Sequence, residues 1–233
     1  MAIACLTAIS NGQVIYTQMD TQRIGGRVES GFVEGLDQGD FSTFNLVAPN
    51  SDAFNLIVSG FDQTDTRING LDNRDRGDST SGDALVQVAE DMFYAFNGFL
   101  RVQFQGLDVG TYELDLIMVE PQFGGSDLIN ISVTDPTRTN TLVATANADK
   151  SLAGISNVDG LSQVIIESNY QTTLSFTSNG VDDVFIWLDG RSGTSNALPL
   201  NGIVLTQVPE PSAFMLVGLG LGILVVRIQR AKC

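Results

Sequence analysis

Hydrophobic and polar residues alternate along much of this 233-residue chain, and the alternation is clearest at residues 111–118. Tyr112, Leu114 and Leu116 take every second position there, and polar residues fill most of the positions between them. Successive side chains of a β-strand point to opposite faces of the sheet. The period of two therefore predicts a strand with one buried face and one face in water.

Comparable runs recur along the chain and are separated by short turns. They lie at residues 13–19, 41–47, 54–59, 99–105, 128–134, 141–146, 163–168, 172–177, 184–188 and 202–207. Asn-Gly or Asp-Gly pairs, which favour tight turns, stand between several of them, for example at Asn97-Gly98 and Asn179-Gly180. Residues 83–96 are the one stretch that suggests a short helix or a helix-like turn. The pattern predicts an all-β fold, an antiparallel β-sandwich of jelly-roll type over residues 11–207.

The last 26 residues have a different pattern, in which a proline-acid segment, an apolar run and a basic end follow one another. The segments are Val208, Pro209, Glu210, Pro211 and Ser212, then residues 213–226 without a charge, then Arg227, Arg230 and Lys232. A helix over residues 213–226 would be roughly 21 Å long against a hydrocarbon core of ~30 Å, so it spans a bilayer only if flanking residues contribute. The basic end predicts that the C terminus stays in the cytoplasm and that residues 1–207 lie outside it.

This order of segments over residues 208–233 resembles the PEP-CTERM sorting signal. The resemblance implies that the chain is exported, anchored transiently through a transmembrane helix at residues 213–226, and cleaved by a membrane protease of the exosortase class. Pro209 and Pro211 also hold their segment extended, which suits recognition by a protease. A plain membrane anchor that is never cleaved is the alternative.

Two segments of the body carry a second resemblance. They are residues 106–112, with the sequence Gly-Leu-Asp-Val-Gly-Thr-Tyr, and residues 200–205, with the sequence Leu-Asn-Gly-Ile-Val-Leu. Together with the alternating strands, they look like galactose-binding-like and malectin-like sandwich domains. A tight glycine turn followed by a core tyrosine also occurs in other extracellular sandwiches.

Charge and composition exclude several classes of function. The chain has 27 acidic and 12 basic residues, and removing residues 208–233 leaves 26 acidic and 9 basic ones. Proteins that bind nucleic acid concentrate Lys and Arg, so we expect no nucleic-acid partner. The sequence contains no histidine, and its only cysteines are Cys5 and Cys233. A histidine-dependent nucleophile, a zinc site and a disulfide framework are therefore not expected.

A carboxylate pair is the only acid-base equipment that the sequence offers to an enzyme. Glu113 and Asp115 share the polar face of the strand predicted at residues 111–118, and Glu120 lies at its exit. An outward face with alternating charges is ordinarily a solvated surface. We therefore predict that the protein is not an enzyme.

An acidic loop at residues 62–83 is the first candidate for a metal site. Asp72, Asp75 and Asp78 lie within it among Asn, Gly and Ser residues, the oxygen-rich composition that Ca²⁺ prefers. Their spacing does not match the EF-hand pattern, and a solvated loop held by ion pairs is the alternative. Asp182, Asp183 and Asp189 form a second, weaker candidate.

Trp187 is the candidate for a carbohydrate contact, since aromatic rings stack on sugar rings. Phe185, Tyr94 and Tyr170 are further candidates, although most aromatic residues in the strands of a sandwich belong to the core. Residues 1–10, mostly apolar, are predicted to be either a truncated signal peptide or a first strand.

These patterns lead to two functional hypotheses. The first is an exported, non-catalytic protein of the cell surface or extracellular matrix, sorted by an exosortase to the cell envelope or the medium and associated with exopolysaccharide. The alternative is a calcium-dependent carbohydrate-binding module. The expected partners are the exosortase, the membrane through residues 213–226 and a polysaccharide.

Overall fold

A computed structural model describes residues 14–18, 32–34, 41–47, 53–62, 64, 66, 72–75, 83–89, 91–96, 98–119, 128–134, 146–149, 161–189 and 197–208. Within these ranges the chain is mostly β-structure with antiparallel sheets and two short helices. The first strands are β1 (Val14–Gln18), β2 (Phe32–Glu34), β3 (Phe41–Val47), β4 (Ala53–Phe61) and β5 (Asp72–Asp75). Then come α1 (Ala84–Val88), β6 (Asp91–Phe96), β7 (Phe99–Gln105), β8 (Val109–Ile117), β9 (Leu128–Thr134), β10 (Ala146–Asp149) and α2 (Gln163–Asn169). The last strands are β11 (Gln171–Asn179), β12 (Val184–Asp189), β13 (Ala197–Leu200) and β14 (Gly202–Val208).

The strands form two large sheets and one small sheet. The first sheet has the order β11-β8-β14-β1-β2, the second β10-β9-β12-β7-β4-β3, and the small one β13-β6-β5. Neighbouring strands run antiparallel, except that β1 and β2 pair in parallel. The two large sheets will be called the five-stranded and the six-stranded sheet.

The two large sheets contribute to one hydrophobic core. Leu114 and Leu205 of the five-stranded sheet belong to the same buried cluster as Val102 and Leu188 of the six-stranded sheet. The rings of Phe104 on β7 and Phe176 on β11 stack across the two sheets with centroids 5.9 Å apart. Tyr112, Leu114 and Leu116, which the alternation predicts to be buried, lie in this shared interior.

Both helices cover the outer face of the five-stranded sheet at the end where β11 begins. Ile166 and Tyr170, one helical turn apart, are buried against Val86 of α1 and Ile117 of β8. Asp83 caps both helices, because its Oδ1 accepts from the Leu85 N–H and its Oδ2 accepts from the Gln163 N–H. One side chain thus fixes two helix N-termini.

The strand prediction for residues 163–168 is wrong, since Gln163–Asn169 is helical. The β-branched residues favoured a strand, but Ser162 accepts a hydrogen bond from the Ile165 N–H and starts the helix. The buried positions then follow a helical spacing. The prediction for residues 83–96 is half right: a short helix at Ala84–Val88 is followed by a strand at Asp91–Phe96.

Gly98 is needed for close packing and not for a left-handed turn. Its φ is not positive, whereas the φ angles of Gly106 and Gly180 are 77° and 73°. A Cβ added at Gly98 would lie 1.9 Å from the carbonyl oxygen of Phe61. Close packing, and not the positive φ expected for an Asn-Gly pair, therefore requires the glycine at position 98.

Candidate functional site

The last strand leads directly into the C-terminal segment. β14 lies between β8 and β1, and Val208 pairs with Thr111 at the end of the strand. The residue before it, Gln207, packs its side chain over Gly110, where an added Cβ would lie 2.9 Å from Gln207 Nε2. The chain is thus held in the sheet up to the residue that precedes Pro209.

The start of β1 and the end of β14 lie at the same end of the five-stranded sheet. β1 runs antiparallel to β14, and its first residue, Val14, pairs with Thr206. Val14 and Val208 therefore mark one end of the strands of this sheet, and we call it the exit end.

Hydrogen bonds fix the turn between β11 and β12 at the exit end. Asn179 Oδ1 accepts from the N–H groups of Val181 and Asp182, at 2.9 and 2.8 Å. Asn179 Nδ2 donates to Asp182 Oδ2 at 2.8 Å, and Gly180 supplies the positive φ. The side chain of Asn179 therefore organises the whole turn.

The loop between β7 and β8 is joined to the same turn. Ser178 Oγ donates to the Leu107 carbonyl oxygen at 3.1 Å, and the Tyr112 hydroxyl donates to the Asp108 carbonyl oxygen at 3.1 Å. Burial, together with the nearby Asp108 carboxylate, raises the pKa of Tyr112 above 10.0. The tyrosine ring stacks on Phe176 with centroids 5.6 Å apart, which confirms the predicted core position of this tyrosine.

A cleft of about 450 Å³ lies beside this turn. Its apolar walls come from Val133, Phe176 and Val184, and its polar groups come from residues 177–179, 182 and 183. Asp183 Oδ2 accepts from Gln103 Nε2 at 2.7 Å and from Gln105 Nε2 at 3.1 Å. A cation would have to compete with these two donors for that oxygen.

An arginine and several aromatic rings occupy the outer face of the six-stranded sheet. The Arg101 guanidinium lies 5.4 Å from the ring centroid of Phe61, 5.5 Å from that of Phe185 and 5.8 Å from that of Trp187. The Trp187 ring is 5% exposed and lies 5.5 Å from the Phe99 ring. A sugar would reach the Trp187 ring only after these neighbours moved, and the predicted carbohydrate contact stays a prediction.

The other predicted aromatic contacts are buried where the structure describes them. Phe185 is 6% exposed and Tyr170 is 3% exposed. Tyr170 packs with the helices, on the side of the five-stranded sheet away from the exit end. Tyr94 lies on β6, and its side chain is outside the described residues.

The predicted metal ligands are only partly described. Asp72 and Asp75 are the two ends of β5, whose register pairs them with Tyr94 and Asp91 of β6, and Asp78 lies outside the described residues. Among the residues that the structure describes, no group of three or more acidic, His or Cys side chains is placed to hold a metal ion. The calcium assignment stays a prediction.

The carboxylates of β8 lie on the outer face of the five-stranded sheet. Glu113 is exposed, and Asp115, opposite Thr173 in the register, accepts a hydrogen bond from the Thr173 hydroxyl. Both residues thus belong to an open polar surface, as predicted for a solvated face. Sequence reasoning did not single out Val109 and Val181, because nothing in their local sequence shows that they lie at the same end of the sheet. It predicted Asn179 only as part of a tight turn with Gly180.

Most of the predicted C-terminal signal falls outside the described residues. Of the signal, Val208 alone is described. The predicted helix at 213–226 lies outside the described residues, as do the basic residues Arg227, Arg230 and Lys232. Among the described residues, no helix is long and apolar enough to cross a membrane. Residues 1–10 also lie outside the described part.

The turn after β4 gives a prediction about pH. Asp62 Oδ1 accepts from the Thr64 hydroxyl at 2.7 Å and from the N–H groups of Thr64 and Thr66. These hydrogen bonds, that of the Thr64 hydroxyl first, lower the pKa of Asp62 below 3.8. Near these pKa values the unfolded chain binds more protons than the folded one. The stabilisation by this turn is therefore fully present above pH 3.8 and is lost as the pH falls through the lowered pKa. Carboxyl ¹³C titration by NMR is expected to give a lower pKa for Asp62 in the folded protein than in urea; an equal or higher value would contradict the turn geometry.

The strand-rich body ends at Val208, and a proline-acid segment, an apolar run and a basic end follow it in the sequence without a linker. This order defines the class of proteins that are sorted through their C terminus. Residues 207–231 match the PEP-CTERM protein-sorting motif, which confirms the predicted signal. The motif implies export, anchoring at the C terminus before processing, and processing by an exosortase. No curated protein sequence matches the chain.

Several solved structures are similar to the chain at low identity. A Bacteroides uniformis β-glucuronidase is 15% identical with a TM-score of 0.42, over 84% of this chain and 18% of the enzyme. The K1 cleaved adhesin domain of Lys-gingipain from Porphyromonas gingivalis is 11% identical with a TM-score of 0.34, over 85% of this chain and 100% of that domain. A CBM4 structure is 12% identical with a TM-score of 0.29, over 74% of this chain and 78% of that structure. The chain thus spans 18% of the length of the glucuronidase.

Proposed function

We propose that this is an exported, non-catalytic protein of the cell surface or extracellular matrix, released into the envelope or the medium when an exosortase removes its C-terminal anchor. The observation that carries the proposal is the sorting motif at residues 207–231, which begins inside the last strand of the body. The whole β-structure therefore precedes the anchor and is delivered with it. We also propose that the two facing sheets form a β-sandwich of jelly-roll type.

The absence of catalysis is part of this proposal. The sequence has no histidine to act as a base. Glu113 is exposed on a polar sheet face, and Asp183 is held by two glutamine side chains. A glycosidase needs two carboxylates that face one another across a bound sugar, and neither of these residues is supported by such a partner in the described structure.

Association with polysaccharide is the second part of the proposal, and the cleft beside the β11–β12 turn supports it. Its volume of about 450 Å³ is in the range of small-ligand sites. Its hydroxyl, amide and carboxylate groups can hydrogen-bond to the hydroxyls of a sugar. The alternative function is a calcium-dependent carbohydrate-binding module. Such a module would bind sugars on a glycan array, and EDTA would abolish that binding.

Processing in a producing cell that contains an exosortase tests the sorting proposal. We expect the wild-type chain to be shortened and to leave the membrane fraction, and the variant Pro209→Ala/Glu210→Ala/Pro211→Ala to stay full-length in the membrane. Immunoblots of fractionated cells with an antibody against the body measure both. Glu167→Ala, which alters an exposed glutamate of α2, is the matched control and should be processed like the wild type. A wild-type chain that stays full-length, or a triple variant processed at the normal rate, would refute the proposal.

A further inference from the structure

Exposed hydrophobic side chains gather at the exit end. Among the large hydrophobic side chains that the structure describes, the exposed ones are Val109 at 70%, Val164 at 72%, Val181 at 86% and Val208 at 39%. All of these except Val164 lie at the exit end. We call Val109, Val181 and Val208 the valine tip.

The three residues of the valine tip come from separate segments that the sheet brings together. Val208 pairs with Thr111, which puts it diagonally opposite Val109 on the outer face of the same sheet. A Cβ added at Gly180, the neighbour of Val181, would lie 3.5 Å from Val109 Cβ. The Asn179 hydrogen bonds hold the backbone of this turn, so the tip is a fixed surface.

The position of the sorting motif indicates which partner contacts the valine tip. The motif begins at Gln207, while β14 continues to Val208. Five residue steps separate Val208 from Ala213, the start of the apolar run, and they span about 18 Å at most when fully extended. A protease that holds residues 209–211 in its groove therefore has to lie against the exit end.

We propose that the valine tip is the surface on which the membrane protease docks while it takes up the C-terminal segment, an inference that rests on the proposed sorting function. An apolar patch with a polar rim is typical of a protein contact site. Lipid fits less well, because Asp108 and Asp182 border the tip and residues 1–207 carry 26 acidic against 9 basic residues. Anionic headgroups would repel this surface.

The test compares processing rates of full-length variants in cells that contain the protease. Val109→Asp/Val181→Asp places two carboxylates in the proposed interface, and we expect its initial processing rate to fall about tenfold, as for loss of hot-spot contacts. Val164→Asp is the control: it changes an equally exposed valine on α2, the helix that precedes the opposite end of β11. This control should be processed at the wild-type rate.

Each outcome separates the docking inference from the sorting proposal. If the wild type is processed and the tip variant keeps the same rate, docking is refuted and sorting stands. If the wild type is not processed, the sorting proposal itself fails. If the tip variant regains the wild-type rate in cells with less anionic lipid, lipid is the occupant and the inference is overturned. Resistance of the full chain to trypsin checks folding, and Val109→Ser/Val181→Ser replaces the aspartate pair if that pair is trypsin-sensitive.

Discussion

Replacing Phe104 with alanine is expected to lower the free energy of unfolding by about 3–5 kcal/mol, the usual cost of deleting a buried phenylalanine ring. Phe104 is 1% exposed and stacks on Phe176 of the opposite sheet at 5.9 Å. The ring centroid of Phe104 also lies 6.4 Å from that of Phe54 on the neighbouring strand β4. The substitution would open a cavity where the two large sheets meet.

Urea unfolding of the full chain in mild detergent measures this effect. Trp187, the only tryptophan of the sequence, is 5% exposed and provides a fluorescence signal that should shift when the chain unfolds. Val164→Ala removes methyl groups from a side chain that is already 72% exposed and should change the stability by less than about 0.5 kcal/mol. A similarly small change for Phe104→Ala would show that the sheets do not share the core described above.

Replacing Asn201 with leucine is expected to lower the free energy of unfolding by about 2–6 kcal/mol. Asn201 is fully buried between β13 and β14. Its Oδ1 accepts from the Val119 N–H at 2.6 Å, and its Nδ2 donates to the Ala89 carbonyl oxygen at 3.3 Å. Leucine has a similar size but leaves both backbone groups without this partner, and an unsatisfied buried group costs about 1–3 kcal/mol.

Asn169→Leu is the matched control for this substitution. Asn169 is exposed at the end of α2, where its Nδ2 donates to the Ile165 carbonyl oxygen. Water can replace that hydrogen bond, so we expect a much smaller loss of stability. Equal losses for both variants in the same urea experiment would contradict the role of Asn201 as the link between α1, β8 and the last two strands.

The alternating strands were the most predictable part of the fold. Residues 111–118 were predicted as a strand, and β8 spans Val109–Ile117. Its burial alternates along the middle of the strand, with Tyr112, Leu114 and Leu116 inside. The pattern works because each of these strands has one face on the core, so the local sequence records the burial.

The sequence pattern did not predict two of the shortest strands, for a different physical reason. β2 and β5 have three and four residues, too few for a period to be recognised. β5 falls in the acidic loop where a metal site was predicted, and its pairing with β6 makes that segment part of a sheet. The helix at Gln163–Asn169 packs against α1 and β8. Its β-branched residues favour a strand, so its local sequence did not predict this packing.

The sequence by itself determined that the chain carries a C-terminal sorting motif, because the motif at residues 207–231 is contiguous and is defined by the order of its residues. It also determined the strand-rich body. The tertiary structure alone decided that Trp187 lies beside other aromatic rings, and that Val109, Val181 and Val208 lie exposed at the end of the sheet where the signal begins. These placements bring together residues distant in the chain, and they follow from which strands pair and in which register, which no local pattern specifies.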